Sequence, residues 1–230
     1  MPAAGPTAHL ADPVRVEHDG VLVCDKPPGL PTSGRDLSDP LCLQGLVMAR
    51  RRRRKVWAVH QLDQDTSGLV LLALRKPLVP AVGGWLQRGT KTYLAVVHGR
   101  VSGPRRIDAP IGWRHAGGRR FPAIAADGRA ARSHVTPRAT SDHHSLVEVE
   151  IETGRTHQVR LHLAHLGHPL VGERLHRAPP CGRHPRHALH AWRLALPDAP
   201  PPLQGLEAPL PPDLLGLLAA LGLAAPASGR

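Results

Sequence analysis

The chain has 230 residues, 41% of them hydrophobic and 21% charged, which allows a sizeable core and excludes a disordered chain. Thirty basic residues against 18 acidic ones give a formal charge of +12, and only Lys26, Lys55, Lys76 and Lys91 are lysines, so arginine carries the excess. Arginine pairs bidentately with phosphate and stacks on bases, which favours a polyanionic partner over the competing explanation, a GC-rich coding sequence. Cys24, Cys42 and Cys181 are too few and too scattered for a disulfide framework or a zinc cluster. Residues 1–12 lack the basic start and apolar core of a signal peptide, and the apolar run 214–225 is shorter than the ~20 residues of a membrane span. These features predict a cytoplasmic, reduced protein without membrane contact.

Residues 1–17, rich in Pro and Ala, read as a flexible arm. The run Val21-Leu22-Val23-Cys24, closed by Pro27-Pro28-Gly29, predicts a strand and a turn. Residues 50–55 form a basic hexapeptide that suits either a solvated helix end or phosphate contact. Residues 56–59 and 69–74 read as strands around the polar turn 60–68, and the second, apolar on both faces, predicts a doubly covered central strand. Residues 93–97 predict another strand, and 102–138, rich in Gly, Pro, Arg and His, predict hairpins and loops. Residues 145–151 alternate apolar and acidic side chains, the pattern of a half-buried strand. A helix over 155–165, a strand over 189–196 and a terminal helix after Pro211-Pro212-Asp213 follow. The elements lack a βαβ rhythm, so the expected fold is α+β: a mixed, largely antiparallel central sheet flanked by helices and loops. One domain over 18–215 is expected, with 216–230 as helix end and tail.

Two segments carry the chemistry. His60-Gln61-Leu62-Asp63-Gln64-Asp65-Thr66-Ser67-Gly68 sets two carboxylates in a loop between apolar strands, a place equally suited to catalysis and to turn formation. Thr153-Gly154-Arg155-Thr156-His157-Gln158-Val159-Arg160 gathers cations and donors near a helix start, where an anion is favoured. The histidines His157, His162, His165 and His168, with His143 and His144, invite a metal reading, but arginines mixed this closely repel a dication.

Together with Lys26-Pro27-Pro28-Gly29-Leu30, Lys91-Thr92-Tyr93-Leu94-Ala95 and Leu189-His190-Ala191, these segments resemble the RluA-type pseudouridine synthases, in family order from about residue 20 to residue 211. The resemblance implies the synthase catalytic fold and isomerisation of uridine in ribosomal or transfer RNA. It places Asp63 on the family's catalytic aspartate, Tyr93 on the tyrosine that packs against the target base, and Arg160 on the arginine that pairs with that aspartate. Asp65 falls on a variable position. His60, Gln61, Lys91, Arg155, His157 and Gln158 are the residues expected to face RNA. Gln61 stands where the family usually has arginine, so it keeps hydrogen bonding and loses the charged fork.

Moving the sugar from nitrogen-1 to carbon-5 of uracil oxidises nothing, so no cofactor and no metal are expected, and the protein is expected to act as a monomer. Residues 50–55 and 114–132 are the expected RNA surfaces, because too few residues precede residue 20 for an accessory RNA-binding domain. Two other readings remain at this point. One is a catalytically inactive RNA-binding protein that retains the synthase fold, supported by Gln61. The other is a hydrolase using the Asp63 and Asp65 carboxylates.

Overall fold

The computed structural model describes residues 11–36, 39–52, 55–176 and 184–227. The chain opens with β1 (Val14–His18), β2 (Val21–Lys26) and α1 (Leu43–Arg50), then β3 (Trp57–Ala58), β4 (Ser67–Ala73) and α2 (Leu78–Arg88). Six more strands follow, then one helix: β5 (Thr90–His98), β6 (Arg105–Asp108), β7 (Ile111–Ala116), β8 (Arg119–Ile124), β9 (Arg132–Thr140), β10 (His144–Ile151) and α3 (Gln158–His165). The end of the chain supplies β11 (Leu189–Ala195), α4 (Pro201–Gln204), β12 (Gly205–Glu207) and α5 (Pro212–Ala220). The class is α+β with antiparallel pairing, as expected.

Packing divides the chain into two compact units, Met1–Gly89 with Ala191–Pro209, and Thr90–His190 with Leu210–Arg230. The boundaries fall between α2 and β5, inside β11, and between β12 and α5.

In the first unit β2 lies between β1 and β4, and β4 is also flanked by β3 and β11. All seven residues of β4 are buried, the doubly covered strand its apolar run predicts. Val21, Val23, Leu69 and Leu71 pack with Val82 and Leu86 of α2 and with Leu194, Leu196 and Leu203. A Cβ on Gly68 would come within 2.2 Å of the Ala191 carbonyl oxygen, so β4 and β11 approach this closely only because residue 68 has no side chain. Within the stretch 1–17, expected to be an arm, the structure shows a strand. Val14–His18 alternates apolar with polar residues and turns through Asp19-Gly20 to pair with β2. Residues 1–10, Arg53 and Arg54 of the basic hexapeptide, and Cys181 lie outside the described residues.

In the second unit the strands run in the order β5-β10-β9-β6, each antiparallel to its neighbour. Val97, Val147, Val149, Leu163 and Leu170 are at the centre of its core. β10 is more buried than its alternation predicts: Glu148 is buried too, its carboxylate accepting from Arg138 Nε at 2.7 Å. β7 and β8 form a separate two-stranded hairpin that turns at Gly117-Gly118. α3 begins at Gln158, not at 155, because the backbone leaves the helical region at His157 (φ 56°) and the Gln158 side chain accepts from the Arg155 N–H. The terminal helix expected after Pro211 forms as α5, and buried Arg186 anchors it with a fork on Asp213, 2.7 Å from Nε and 3.2 Å from Nη2.

Removing that arginine would strand the Asp213 carboxylate at the start of α5. Arg186→Met is expected to lower unfolding stability by about 2–4 kcal/mol in urea titration, whereas exposed Arg88→Met should cost less than about 1 kcal/mol.

Candidate active site

The loop from His60 to Gly68 is held from beneath by the turn that follows β2. Lys26 is fully buried, and its ammonium donates to the carbonyls of Pro27 (3.0 Å), Leu30 (2.7 Å) and Gln64 (2.8 Å). A buried cation needs such oxygens, because desolvation without them costs several kcal/mol. The Gln64 side chain donates to the Gly29 carbonyl, and the Thr32 hydroxyl exchanges hydrogen bonds with the Leu62 N–H (3.1 Å) and carbonyl (3.2 Å). The Asp63 carbonyl accepts from the Thr66 N–H at 3.0 Å. Asp63 is therefore clamped through Leu62 on one side and Gln64 on the other, while its carboxylate is half-buried.

The neighbours of Asp63 take different parts. His60 Nε2 accepts the Leu71 N–H at 3.1 Å, which leaves that nitrogen without a proton and ties the ring to β4. Gln61 is exposed and donates from Nε2 to the Ser33 hydroxyl at 2.8 Å. Asp65 is half-buried. His60, Gln61 and Asp63 belong to the first unit; Lys91, Tyr93, Arg155, His157, Gln158 and Arg160 belong to the second.

Tyr93 lies on β5 opposite Val149 and packs partly buried against the core. Lys91, two residues earlier on the same strand, is half-buried, and burial pushes its ammonium below the ordinary lysine range.

Around the start of α3 a buried hydrogen-bond chain fixes the second motif. Gln158 is 3% exposed. Its Oε1 accepts from the Thr153 hydroxyl (2.7 Å) and the Arg155 N–H (3.1 Å), and its Nε2 donates to the Arg132 carbonyl (2.8 Å) and the Ser133 hydroxyl (3.1 Å). Ser133 in turn donates to His162 Nδ1 (2.8 Å), and His162 Nε2–H donates to the Ala109 carbonyl (3.0 Å). That pattern requires a neutral ring, and burial pushes the His162 pKa down accordingly. Gln158 thus spends its amide inside the protein, whereas half-buried Arg155 donates from Nε to the Ala130 carbonyl. His157, in the left-handed region at φ 56°, brings Nδ1 within 3.0 Å of His176 Nε2.

Arg160 is buried, and its fork grips Glu173: Nε to Oε2 and Nη2 to Oε1, both at 2.8 Å. Burial alone would raise the Glu173 pKa. The hydrogen bonds and charge of Arg160, with the Leu175 N–H, outweigh it and hold the carboxyl at about 2. Sequence reading missed Glu173, Thr32 and Ser133, since none lies in a motif whose spacing signals its partner. Among the described residues no group of three or more His, Cys, Asp or Glu could hold a metal ion.

Comparison with known proteins fits this arrangement. The profile described as RNA pseudouridylate synthase matches residues 20–165. The ribosomal large subunit pseudouridine synthase D of Nitrosomonas europaea is 36% identical over 223 residues, covering 89% of this chain and 64% of that protein. The protein of that name from Pseudomonas aeruginosa is 36% identical over 232 residues, covering 89% of this chain and 70% of its own. The human RNA pseudouridylate synthase domain containing 4 superposes with a TM-score of 0.72 at 23% identity, covering 93% of this chain and 94% of that chain. The human domain containing 1 gives 0.68 at 26% identity, covering 95% and 97%. The chain spans less than two thirds of the Nitrosomonas protein.

The ionised Glu173 makes acid stability measurable. The unfolded chain binds a proton near the ordinary value of 4.5 and the folded one only near 2, so the pair's contribution is complete above that window and lost as pH falls through it. In urea titrations from pH 6 to pH 2.5, the wild type should lose about 3 kcal/mol more than the double variant Arg160→Met/Glu173→Met.

Proposed function

This chain belongs to the RNA pseudouridylate synthase family, and on that premise we propose that it isomerises uridine in RNA to pseudouridine with Asp63 as the catalytic carboxylate. The observation that carries the assignment of Asp63 is the clamp on its loop, where Lys26, Thr32 and Gln64 fix the backbone on both sides of this half-buried residue.

In this reading Asp63 acts on the sugar as nucleophile or base while the bond from carbon-1′ to nitrogen-1 breaks. The freed uracil turns and forms its new bond to carbon-1′ through carbon-5, whose proton leaves to solvent while nitrogen-1 takes one up. Tyr93 offers the base a flat face with a hydroxyl at its edge. Arg160 is the ion partner that orients Asp63. Lys91, Arg155, His157, His60 and Gln61 contact the RNA around the extruded nucleotide, whose unstacking costs a few kcal/mol. Gln158 acts one step back, holding the loop that carries Arg155 and His157.

The β7–β8 hairpin is the accessory RNA surface. It carries Arg114, Arg119 and Arg120, with Trp113 44% exposed and Phe121 40% exposed, and the Arg120 guanidinium lies 4.3 Å from the Trp113 ring centre. The several relatives named as large-subunit synthases make ribosomal RNA the first substrate to test. The second reading, an inactive RNA-binding protein, rests on Gln61 alone.

Large-subunit RNA labelled with tritium at carbon-5 of uridine, from cells lacking this protein, decides between the two. Wild-type protein should release tritium to water and Asp63→Asn none; binding without release would leave only the inactive reading. Gln61→Arg restores the usual family charge. It is expected to steepen the dependence of log affinity on log salt by about one phosphate contact, a slope change near 0.7–0.9 in filter binding.

A further inference from the structure

Glu173 is presented to Arg160 by a turn that tolerates no side chain before it. Gly172 sits at φ 75°, and a Cβ there would come within 2.0 Å of the Arg186 carbonyl oxygen. The turn also points two backbone donors at the carboxylate. Oε1 accepts the Arg174 N–H at 2.9 Å and the Leu175 N–H at 2.8 Å, besides Nη2 of Arg160. Oε2 accepts Nε of the same arginine. The carboxylate is therefore fixed by the backbone before it meets the guanidinium, and both side chains are almost wholly buried.

A guanidinium is planar, so a fork on its Nε–Nη2 edge sets the direction of every remaining N–H in the group. We propose that Glu173 is a positioning residue for the isomerisation: it holds the Arg160 plane in the orientation the catalytic carboxylate requires. The proposal rests on the reading of Arg160 as the ion partner of Asp63. Burying an ion pair rarely adds net stability over an apolar pair of the same volume, so a fork this completely bonded is better explained by orientation than by folding energy. Glu173 remains ionised across any neutral assay, which makes its hold on Arg160 independent of pH there. It touches neither the base nor the sugar, and its influence passes through Arg160.

The test is single-turnover tritium release at saturating ribosomal RNA, with RNA affinity measured separately, for wild type, Asp63→Asn, Glu173→Gln, Glu173→Asp, Arg160→Lys and Glu173→Gln/Arg160→Lys. Glu173→Gln is expected to slow the bound-state rate about 10- to 100-fold while RNA affinity stays within about twofold, because misplacing a catalytic partner costs rate and leaves phosphate contacts intact. Glu173→Asp keeps the charge and a shorter fork, so it should fold and recover part of the rate. In the Arg160→Lys background, Glu173→Gln should cost little more, since both act through one guanidinium. A purely structural pair would give losses that follow melting temperature across the variants, Glu173→Asp included, and that result overturns the proposal. Wild-type rates in Glu173→Gln, with Asp63→Asn inactive, would overturn it alone. No release by wild type would overturn the synthase reading beneath it.

Discussion

Lys26 presents the fold with a requirement that few other residues impose. Its ammonium has no solvent, so oxygens must surround it, and the oxygens are main-chain carbonyls of Pro27, Leu30 and Gln64. The first two belong to the turn that leaves β2, and the third to the loop between β3 and β4. Satisfying one cation therefore joins two loops that are 38 residues apart in sequence. Asp63, one residue before Gln64, takes its position from that junction, and hydrogen bonds from Thr32 and Gln64 close the remaining freedom. A charge buried for structural reasons thus fixes the loop that carries Asp63.

The second unit solves the same problem with different chemistry. Between Thr153 and His162 a neutral chain of hydroxyl, amide and imidazole groups replaces the ammonium, and each member donates to the next without a net charge. Such a chain is strong only when complete, since a missing partner leaves a buried polar atom unpaired. It supports the backbone just before Arg160, whose own partner is the ionised Glu173. Neutral groups carry the framework here, and an almost wholly buried ion pair holds the arginine.

Local pattern made some of this legible in the sequence. The run Leu69–Leu74 is apolar on both faces and can only be a covered strand, and Pro211-Pro212-Asp213 announces α5. Other elements carry no such mark. β1 hides in a Pro- and Ala-rich stretch, although Asp19-Gly20 between alternating residues is a hairpin signal. α1 has a cysteine as its cap and a glycine within it, both weak helix signals. α3 starts late because the Gln158 side chain competes for the backbone donors a longer helix would have used. Of the site, Asp63, Tyr93 and Arg160 were visible only as parts of motifs. Glu173 is a lone acid in a loop, and its pairing with a residue thirteen positions earlier has no periodicity to betray it.

The return of residues 191–209 to the first unit has a consequence for synthesis on the ribosome. β4 lies against β2 and β3, already made, but its neighbour β11 is separated from it by more than a hundred residues of nascent chain. The strands of the second unit lie nearer to their partners along the chain, β9 and β10 through a short turn. Local pairings close quickly and distant ones slowly, so the second unit's sheet can assemble while the face of β4 around Gly68 still waits for Ala191. Until then an apolar strand stands with open hydrogen-bonding groups, and a chaperone that shields such edges would serve this protein in that interval.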